Sequence, residues 1–249
     1  MLFERKDGLF VCRFGHLLVR RRVVHGFSTR KGGVSPAPCD SLNLGLNTDD
    51  AVDRVRQNRR RFFTAVQQDE DGTVIPVQVH GDRVRAVESP GSVPDTDAVV
   101  TDRTGLVLSV QVADCLSIFL LDPVKPAIGL IHAGWRGTAK SIARKTVQKL
   151  CDAFGGNPRD ILAFIGPSIG PCCYVVGEAT ATSFDAKYLI NGKLDLWQGN
   201  EDQLVDAGLK KENIVHSRIC TACHPEWFYS HRKSGGKTGR MLAVLGIRE

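Results

Sequence analysis

Residues 106–121 read Leu106-Val107-Leu108-Ser109-Val110-Gln111-Val112-Ala113-Asp114-Cys115-Leu116-Ser117-Ile118-Phe119-Leu120-Leu121. The segments on either side of Asp114-Cys115 are dense in branched and aromatic residues, which is typical of strands buried inside a protein. We therefore predict two core strands separated by a break or turn. The break itself carries an acid and a thiol.

Two further predicted strands lead to histidines. Residues 73–79 end at His80, within Gln78-Val79-His80-Gly81, and residues 127–131 lead to His132, within His132-Ala133-Gly134-Trp135-Arg136-Gly137. Strand ends converge at one edge of a sheet, where a rigid scaffold commonly carries a site. We therefore expect His80, Cys115 and His132 to lie together, although each one alone is better explained as a core residue.

This trio suits two kinds of chemistry. Two imidazoles and a thiol can bind a metal through three protein ligands and leave one coordination position open. They can also form a cysteine nucleophile with a histidine base. Asp114, beside Cys115, would either move a proton or simply hydrogen-bond a neighbouring group.

The turn that follows His132 is a candidate anion site. Gly134 and Gly137 flank Trp135-Arg136, and a helix is predicted from residue 138 to 154. A helix start presents free N–H groups and the positive end of the helix dipole. Arg136 adds a planar cation suited to phosphate.

The rest of the chain mixes strands and helices without the regular alternation of a doubly wound parallel sheet. Residues 28–46 are rich in turn residues and form a long loop. The other predicted elements are two strands within 9–27, a helix from an Asp49 or Asp50 cap to Val66, strands at 83–88, 161–165, 214–219 and 241–247, and helices near 177–187 and 194–207. We predict an α+β fold of layered mixed β-sheets flanked by helices, formed by one domain over residues 1–249.

Composition limits the partners. The 249 residues are 42% hydrophobic and carry a net charge of +6, which favours anionic partners in general. The basic clusters at 20–22 and 54–61 come with no nucleic-acid-binding motif, so we expect solvated surfaces and no nucleic-acid partner. No signal peptide or membrane span is evident, so we expect a cytoplasmic monomer without a membrane partner and with mostly reduced cysteines.

Two apparent motifs do not hold. Residues 234–238 resemble the end of a phosphate-binding loop, but His231 stands where the first glycine is required. Cys220-Thr221-Ala222-Cys223-His224 matches the spacing for haem attachment, which belongs to exported proteins. Cys220 and Cys223 could form a zinc ligand pair, but no second Cys-x-x-Cys completes a four-ligand zinc site. We therefore expect structural or core thiols, and Cys172-Cys173 has no interpretation from sequence.

Several blocks occur in a fixed order through nearly the whole chain. They are Phe27-Ser28-Thr29-Arg30-Lys31-Gly32-Gly33-Val34-Ser35, Ser41-Leu42-Asn43-Leu44, Gln78-Val79-His80-Gly81, Asp97-Ala98, Ala113-Asp114-Cys115, the His132–Gly137 block, Gly166-Pro167-Ser168-Ile169-Gly170 and Gly239-Arg240. Together they resemble the laccase-domain family, also called YfiH-like or multicopper polyphenol oxidoreductase. Its members include purine nucleoside phosphorylases and the peptidoglycan editing factor.

The resemblance implies an active centre of His80, Cys115 and His132 with zinc. It implies phosphorolysis of adenosine, inosine, guanosine and S-methyl-5′-thioadenosine, adenosine deamination as a second activity, and a fold shared with a bacterial toxin's Cys–His hydrolase domain. The chain departs from the family at Ser117, where proline is common. It also departs at Val175, where glutamate is common, so a role for that carboxylate is in doubt.

The number of histidines and methionines in the chain tests whether it could bind copper as the family's name suggests. A laccase centre needs a copper with two histidines and a cysteine, and a three-copper cluster held mostly by histidine pairs. The chain has seven histidines, no His-x-His pair, and only Met1 and Met241 as methionines. We therefore expect zinc rather than copper as the cofactor.

Phosphorolysis depends mainly on positioning and electrostatics. Arg136 and the helix start would hold phosphate, and Arg30 and Asn43 would hold phosphate or ribose hydroxyls. The alternative is a metal-free hydrolase of an amide or ester, such as a cell-wall precursor, with Cys115 as nucleophile and His132 or His80 as base. A non-catalytic nucleotide-binding module is a third interpretation.

Overall fold

The apolar residues of the C-terminal segment alternate in direction and define the centre of the fold. Met241, Ala243 and Leu245 pack into one hydrophobic cluster, whereas Leu242 and Val244 pack into another. Successive side chains of a strand point to opposite faces of its sheet. This strand is therefore covered on both faces, as an inner strand of a layered protein must be.

The computed structural model describes residues 1–20 and 22–248. The strands are β1 (Leu2–Lys6), β2 (Leu9–Arg13), β3 (Val23–Ser28), β4 (Thr73–Pro76), β5 (Val84–Ala86), β6 (Gly91–Val93), β7 (Ala98–Thr101), β8 (Val107–Val112), β9 (Leu116–Asp122), β10 (Ala127–Ala133), β11 (Leu162–Ile165), β12 (Leu189–Ile190), β13 (Lys193–Leu194), β14 (Ile214–His216) and β15 (Met241–Ile247). The helices are α1 (Gly15–Leu18), α2 (Val52–Ala65), α3 (Trp135–Ala139), α4 (Ile142–Phe154), α5 (Glu178–Ala181) and α6 (Leu196–Asp206).

Two mixed sheets form the body of the protein. The seven-stranded sheet has the order β1-β2-β3-β15-β8-β4-β6, and the six-stranded sheet has the order β14-β11-β9-β10-β7-β5. Most neighbours are antiparallel, but β4 pairs in parallel with β6 and β8, and parallel pairs β11–β14 and β5–β7 lie in the other sheet. A β12–β13 hairpin stands apart from both sheets.

Three hydrophobic clusters show how the layers stack. One cluster joins side chains of both sheets, including Phe27 and Leu108 from the first and Phe119 and Leu130 from the second. The other face of the six-stranded sheet packs against α4 and α6. The other face of the seven-stranded sheet packs against α2. The order of layers is thus helix, sheet, sheet, helices, which confirms the predicted α+β class.

Several elements differ from the sequence prediction. Strand β1 was not predicted, β4 ends at Pro76 instead of reaching 79, and β14 ends at His216. Helix α2 begins at Val52 with Ala51 at its N-cap, so neither Asp49 nor Asp50 is the cap residue. The helical region near 177–187 contains only the single turn of α5 and a 3₁₀ turn.

The helix predicted over 138–154 is two helices, separated at Ser141, whose φ of 60° is left-handed. The side chain of Gln203 on α6 stabilises this break. Its amide nitrogen donates to the Thr138 carbonyl at 2.7 Å, and its oxygen accepts from the Ala143 N–H at 3.3 Å. A partner from another helix therefore replaces the continuous helical hydrogen bonds, and no proline or glycine marks the break.

The long loop before α2 is held tightly to the protein. Leu42 and Leu44 are fully buried in the cluster beneath α2, which gives this loop a packing role. Arg21, from the first basic cluster, lies outside the described residues. Within residues 1–20 and 22–248, no helix combines the length and apolar character needed to cross a bilayer.

Candidate active site

His80, Cys115 and His132 meet at one end of the two sheets. Cys115 lies where the chain leaves β8 of one sheet and enters β9 of the other, and His132 lies at the end of β10. His80 comes from the loop after β4. One donor atom from each of the three side chains lies within 4.8 Å of the others. The structure therefore brings together the trio that the sequence singled out.

His132 is oriented by a buried carboxylate. Its Nδ1 lies 2.7 Å from Oδ1 of Asp97, which precedes β7, the neighbour of β10. Both side chains are almost completely buried. Because Nδ1 is engaged by Asp97, Nε2 is the ring nitrogen available to a metal or to Cys115.

The same carboxylate holds the loop that carries His80. Asp97 accepts hydrogen bonds from the backbone N–H groups of Val79 at 3.2 Å, His80 at 3.0 Å and Gly81 at 2.7 Å. His80 has a φ of 57°, in the left-handed region that a histidine rarely adopts. These bonds hold that conformation, so one buried group positions both histidines.

Gln78 fixes the start of this loop. Its side-chain nitrogen donates to the carbonyl of Gln111 at 2.8 Å, and its oxygen accepts from the N–H of Gln111 at 2.8 Å. The side-chain amide of Gln78 thus forms the same two hydrogen bonds with β8 that the backbone of a neighbouring strand would form. This explains the Gln at the front of the Gln78–Gly81 block.

Gly134 is packed directly against the trio. A Cβ added there would lie 3.1 Å from the sulfur of Cys115 and 3.2 Å from Cδ2 of His80. The two histidine rings are edge to face, with their centroids 4.9 Å apart. The absence of a side chain at 134 therefore lets the turn after β10 close over the centre.

Electrostatics favours an ionised thiol at this centre. Burial acts to raise the pKa of Cys115, but the charge of His132 and hydrogen bonds from both histidines outweigh it and lower the pKa to about 6. Burial acts to lower the pKa of His132, but the Cys115 charge and the bond to Asp97 outweigh it and raise the pKa to about 9. Without a metal, both shifts favour a thiolate on Cys115 beside an imidazolium on His132.

The donor set also fits a metal ion. A thiolate and two imidazoles are ligands that suit zinc, and three protein ligands leave a position for a substrate or water. The Asp97–His132 bond is the kind of outer contact that orients a metal-binding histidine. His80, Cys115 and His132 are thus the residues that would hold the ion.

The lowered pKa of Cys115 predicts a distinctive reactivity. In protein freed of metal, we expect alkylation of Cys115 by iodoacetamide to rise with pH around 6 and to level off above about pH 7, because the thiolate is then fully formed. Mass spectrometry of the Cys115 peptide measures the rate. In His132→Ala the midpoint should move upward, and a wild-type rate that still climbs toward pH 9 would contradict the assignment.

Asp114 has both carboxylate oxygens engaged. Oδ1 accepts from the hydroxyl of Thr221 at 2.6 Å, and Oδ2 accepts from the N–H of Arg232 at 2.7 Å. Asp114 is buried, and through these two bonds it holds the segments around Thr221 and Arg232 next to Cys115. Of the two roles expected for it, this geometry favours the hydrogen-bonding one over proton transfer.

Two of the three expected substrate-binding residues, Arg30 and Asn43, form hydrogen bonds to other groups of the protein. Arg30 donates to the Asp40 and Pro225 carbonyls at 2.8 Å and lies over the ring of Tyr229. Asn43 is fully buried, and its oxygen accepts from the N–H groups of Gly45 and Arg240. The structure therefore argues against a substrate contact for Asn43 and favours a structural role for Arg30.

Arg136 is different. It is exposed, it stacks over Trp135 at 4.5 Å, and it forms no ion pair with the described residues. The helix α3 that contains it begins at Trp135 and has only five residues, which weakens the expected contribution of a helix dipole. The available cation of this turn is thus the guanidinium itself.

Three neighbours of the trio were missed as site residues. Asp97 is one, and the others are Tyr174 and Arg240. Burial raises the pKa of Tyr174 to about 12, helped by the nearby charge of Cys115. Burial lowers the pKa of Arg240, and the Cys115 charge opposes this. Asp97 and Arg240 lie in blocks shared with the family, which was the only signal available for them.

Comparisons with known proteins agree along most of the chain. A family model described as "Multi-copper polyphenol oxidoreductase laccase" matches residues 24–248. The chain is 38% identical to purine nucleoside phosphorylase YlmD of Bacillus subtilis, over 92% of this chain and 90% of the relative. It is 34% identical to purine nucleoside phosphorylase YfiH of Escherichia coli, over 88% and 92%.

A solved structure shares the fold. The crystal structure of the hypothetical protein YfiH from Bacillus licheniformis superposes with a TM-score of 0.91 at 33% identity, covering 99% of both chains. The layered arrangement around the trio is therefore shared over the full length of the two chains.

Proposed function

Because this chain belongs to the multi-copper polyphenol oxidoreductase laccase family, we propose that it is a purine nucleoside phosphorylase centred on His80, Cys115 and His132. The observation that carries this proposal is the convergence of the three donor atoms in a chain that aligns with relatives of that name over most of their length. The proposed substrates are phosphate and adenosine, inosine, guanosine or S-methyl-5′-thioadenosine. Deamination of adenosine is proposed as a second activity.

Zinc is the proposed cofactor, and the histidine supply disfavours copper. Bound by the trio, zinc would supply a positive charge that polarises substrate atoms and makes water more acidic. Cys115 favours such binding because its thiolate is already stabilised by its neighbours. Asp97 holds the proton on Nδ1 of His132 and so keeps Nε2 directed at the centre.

In the proposed reaction a phosphate oxygen forms a bond to the anomeric carbon of the ribose. The bond from that carbon to the purine nitrogen breaks, and its electron pair leaves with the purine, which then takes up a proton. Charge develops on the sugar and the base, so positioned charges are the main catalytic requirement. Arg136 is exposed and follows Gly134, which packs against Cys115 and His80, and Arg240 adds a second positive charge that acts on Cys115.

Removal of the Arg136 guanidinium should weaken phosphate binding. We expect Arg136→Ala to raise the KM for phosphate about tenfold or more, with a smaller effect on the KM for adenosine, because a planar cation is lost from the proposed phosphate site. Arg144→Ala is the matched control, since Arg144 is an exposed residue of α4. Equal phosphate KM values in Arg136→Ala and wild type would remove Arg136 from the site.

Incubation with adenosine, with and without phosphate, tests the proposed function. Chromatography should show adenine and ribose 1-phosphate only when phosphate is present, and inosine in either case from the second activity. Inosine alone would leave a deaminase without phosphorylase activity. No turnover of any of the four nucleosides would reject the proposal.

One observation favours a second candidate. Without metal, Cys115, His132 and Asp97 form a thiolate, an imidazolium and an orienting carboxylate, which is the arrangement of a cysteine hydrolase. Such an enzyme would act on an amide or ester such as a cell-wall precursor. A covalent adduct on Cys115, detected by mass spectrometry after reaction of metal-free protein with a substrate ester, would support it. Turnover that requires zinc would exclude it.

We also propose that residues 1–249 act as one cytoplasmic domain and as a monomer. Light scattering of the purified protein tests the monomer, and a mass of two or more chains would contradict it.

A further inference from the structure

Four cysteines outside the active centre lie together, two of them exposed, one half-buried and one buried. Cys172 and Cys173 follow β11, and Cys220 and Cys223 follow β14. Their four sulfur atoms lie within 4.8 Å of one another. The sulfur of Cys223 is 3.5 Å from that of Cys172 and 3.4 Å from that of Cys173. Of the two thiols expected to be structural or core residues, Cys220 is buried, whereas Cys223 is exposed and is not a core residue.

Backbone hydrogen bonds bring these thiols together. A tight turn is closed by the N–H groups of Cys173 and Tyr174, which donate to the Gly170 carbonyl at 3.0 and 3.1 Å. The two segments are then joined by Ser168, which donates to Ile219 at 3.2 Å and accepts from Thr221 at 3.0 Å. The main chain thus holds the two cysteine-bearing segments against each other.

One amide is aimed at a sulfur atom. The N–H of Gly170 donates to Sγ of Cys220 at 3.3 Å. A Cβ at position 170 would lie 2.7 Å from the ring of Trp197 and 3.3 Å from Sγ of Cys172, so only glycine allows this approach. Donors directed at sulfur favour the thiolate, which is the form that binds metals.

We propose that Cys172, Cys173, Cys220 and Cys223 bind one structural zinc ion. With zinc–sulfur bonds of about 2.3 Å, a tetrahedron of sulfurs has edges of about 3.8 Å, close to the spacings found here. Four thiolates fill the coordination sphere and leave no position for a substrate, which is the mark of a structural site. A vicinal pair thus takes the place of the second Cys-x-x-Cys that such sites usually have.

A metal ion at this site would stabilise the segments that contact the residue next to Cys115. The N–H of Ile169 donates to the Asp114 carbonyl at 2.8 Å, and the hydroxyl of Thr221 donates to the Asp114 carboxylate at 2.6 Å. Asp114 thus contacts both of the segments that the metal would join. Cys173 and Cys223 are 50 residues apart, so the ion would cross-link two segments that are distant in sequence. The cross-link would lie beside Asp114, the neighbour of Cys115 in the chain.

Metal analysis of a variant lacking the other site tests the proposal. The combined variant His80→Ala, Cys115→Ala, His132→Ala, purified after growth with zinc, should retain about one zinc per chain by mass spectrometry of the elements. Adding Cys220→Ser and Cys223→Ser should remove that zinc. Adding Cys151→Ser instead should leave it, because Cys151 lies on α4 outside both groups.

Cobalt substitution of the wild-type protein is the second measurement, and it does not depend on the folding of a variant. Four thiolates give several times the sulfur-to-cobalt absorption of the single Cys115 thiolate of the trio, and titration with a mercurial reagent should abolish this absorption while releasing the ion. Absorption that corresponds to one thiolate only would overturn the proposal. The proposal is overturned if the combined variant, shown by circular dichroism to be folded, holds no zinc, or if it holds iron instead. A mass deficit of two hydrogens in the cysteine peptides, which means a disulfide, would also overturn it.

Discussion

Replacing Cys115 by alanine is expected to remove zinc from the trio and to lower the rate of phosphorolysis by about a thousandfold or more. Cys115 supplies the anionic ligand of the trio, and its sulfur lies between the two histidines and against Gly134. The two neutral imidazoles that remain bind zinc much more weakly, because the strongest charge attraction is lost. The measurements are the zinc content and kcat/KM for adenosine at saturating phosphate.

The matched control for this variant is Cys151→Ala. Cys151 is a half-buried thiol on α4 and has no contact with the trio, so the control should keep both zinc and activity. Retention of full phosphorolysis by Cys115→Ala would show that the trio is not the active centre. A variant that loses activity but keeps its zinc at this site would instead favour Cys115 as a nucleophile.

The second large effect is expected for Asp97→Asn. The carboxylate accepts four hydrogen bonds, one from His132 and three from the loop that carries His80. An amide of the same size would turn an NH₂ group toward some of these donors. We expect the zinc affinity of the trio to fall by about 10- to 100-fold, as when other partners of metal-binding histidines are removed.

Competition with a chromogenic chelator measures this loss of affinity, and kcat/KM should fall with it. Asp102→Asn is the control, because Asp102 is an exposed residue whose ion pair with Arg103 lies on the surface. Circular dichroism must show that Asp97→Asn remains folded. If the folded variant binds zinc as tightly as wild type, then Asp97 does not position the histidines.

The sequence predicted the trio because each member stands at the end of an apolar strand, a pattern that is visible locally. Asp97 could not be recognised in that way. It lies 35 residues from His132, and only the pairing of β7 with β10 brings the two together. The acid that the sequence did favour, Asp114, stands next to Cys115 in the chain but directs its oxygens at Thr221 and Arg232.

Polar residues in loops were the weakest part of the prediction. Arg30 and Asn43 have the chemistry to bind phosphate or ribose, and their substrate-binding role stays a prediction. In the structure they hydrogen-bond to backbone and side-chain groups of their own and neighbouring loops. For Cys172, Cys173, Cys220 and Cys223 the sequence predicted no joint site, although their sulfurs lie together. The prediction considered only two Cys-x-x-Cys pairs. The backbone pairing of two segments, which the sequence does not reveal, places Cys172 and Cys173 beside Cys220 and Cys223.

The central claim is that this centre transfers a ribose from a purine to phosphate. The most direct test is to incubate zinc-loaded wild type and Cys115→Ala with adenosine and radiolabelled phosphate, and to quantify labelled ribose 1-phosphate and adenine together. From wild type we expect as much labelled ribose 1-phosphate as adenine and hypoxanthine together, the hypoxanthine coming from inosine made by the second activity. From the variant we expect almost none of these products. Adenine formed with unlabelled ribose, no adenine from the zinc-loaded protein, or undiminished labelling by Cys115→Ala would contradict the claim.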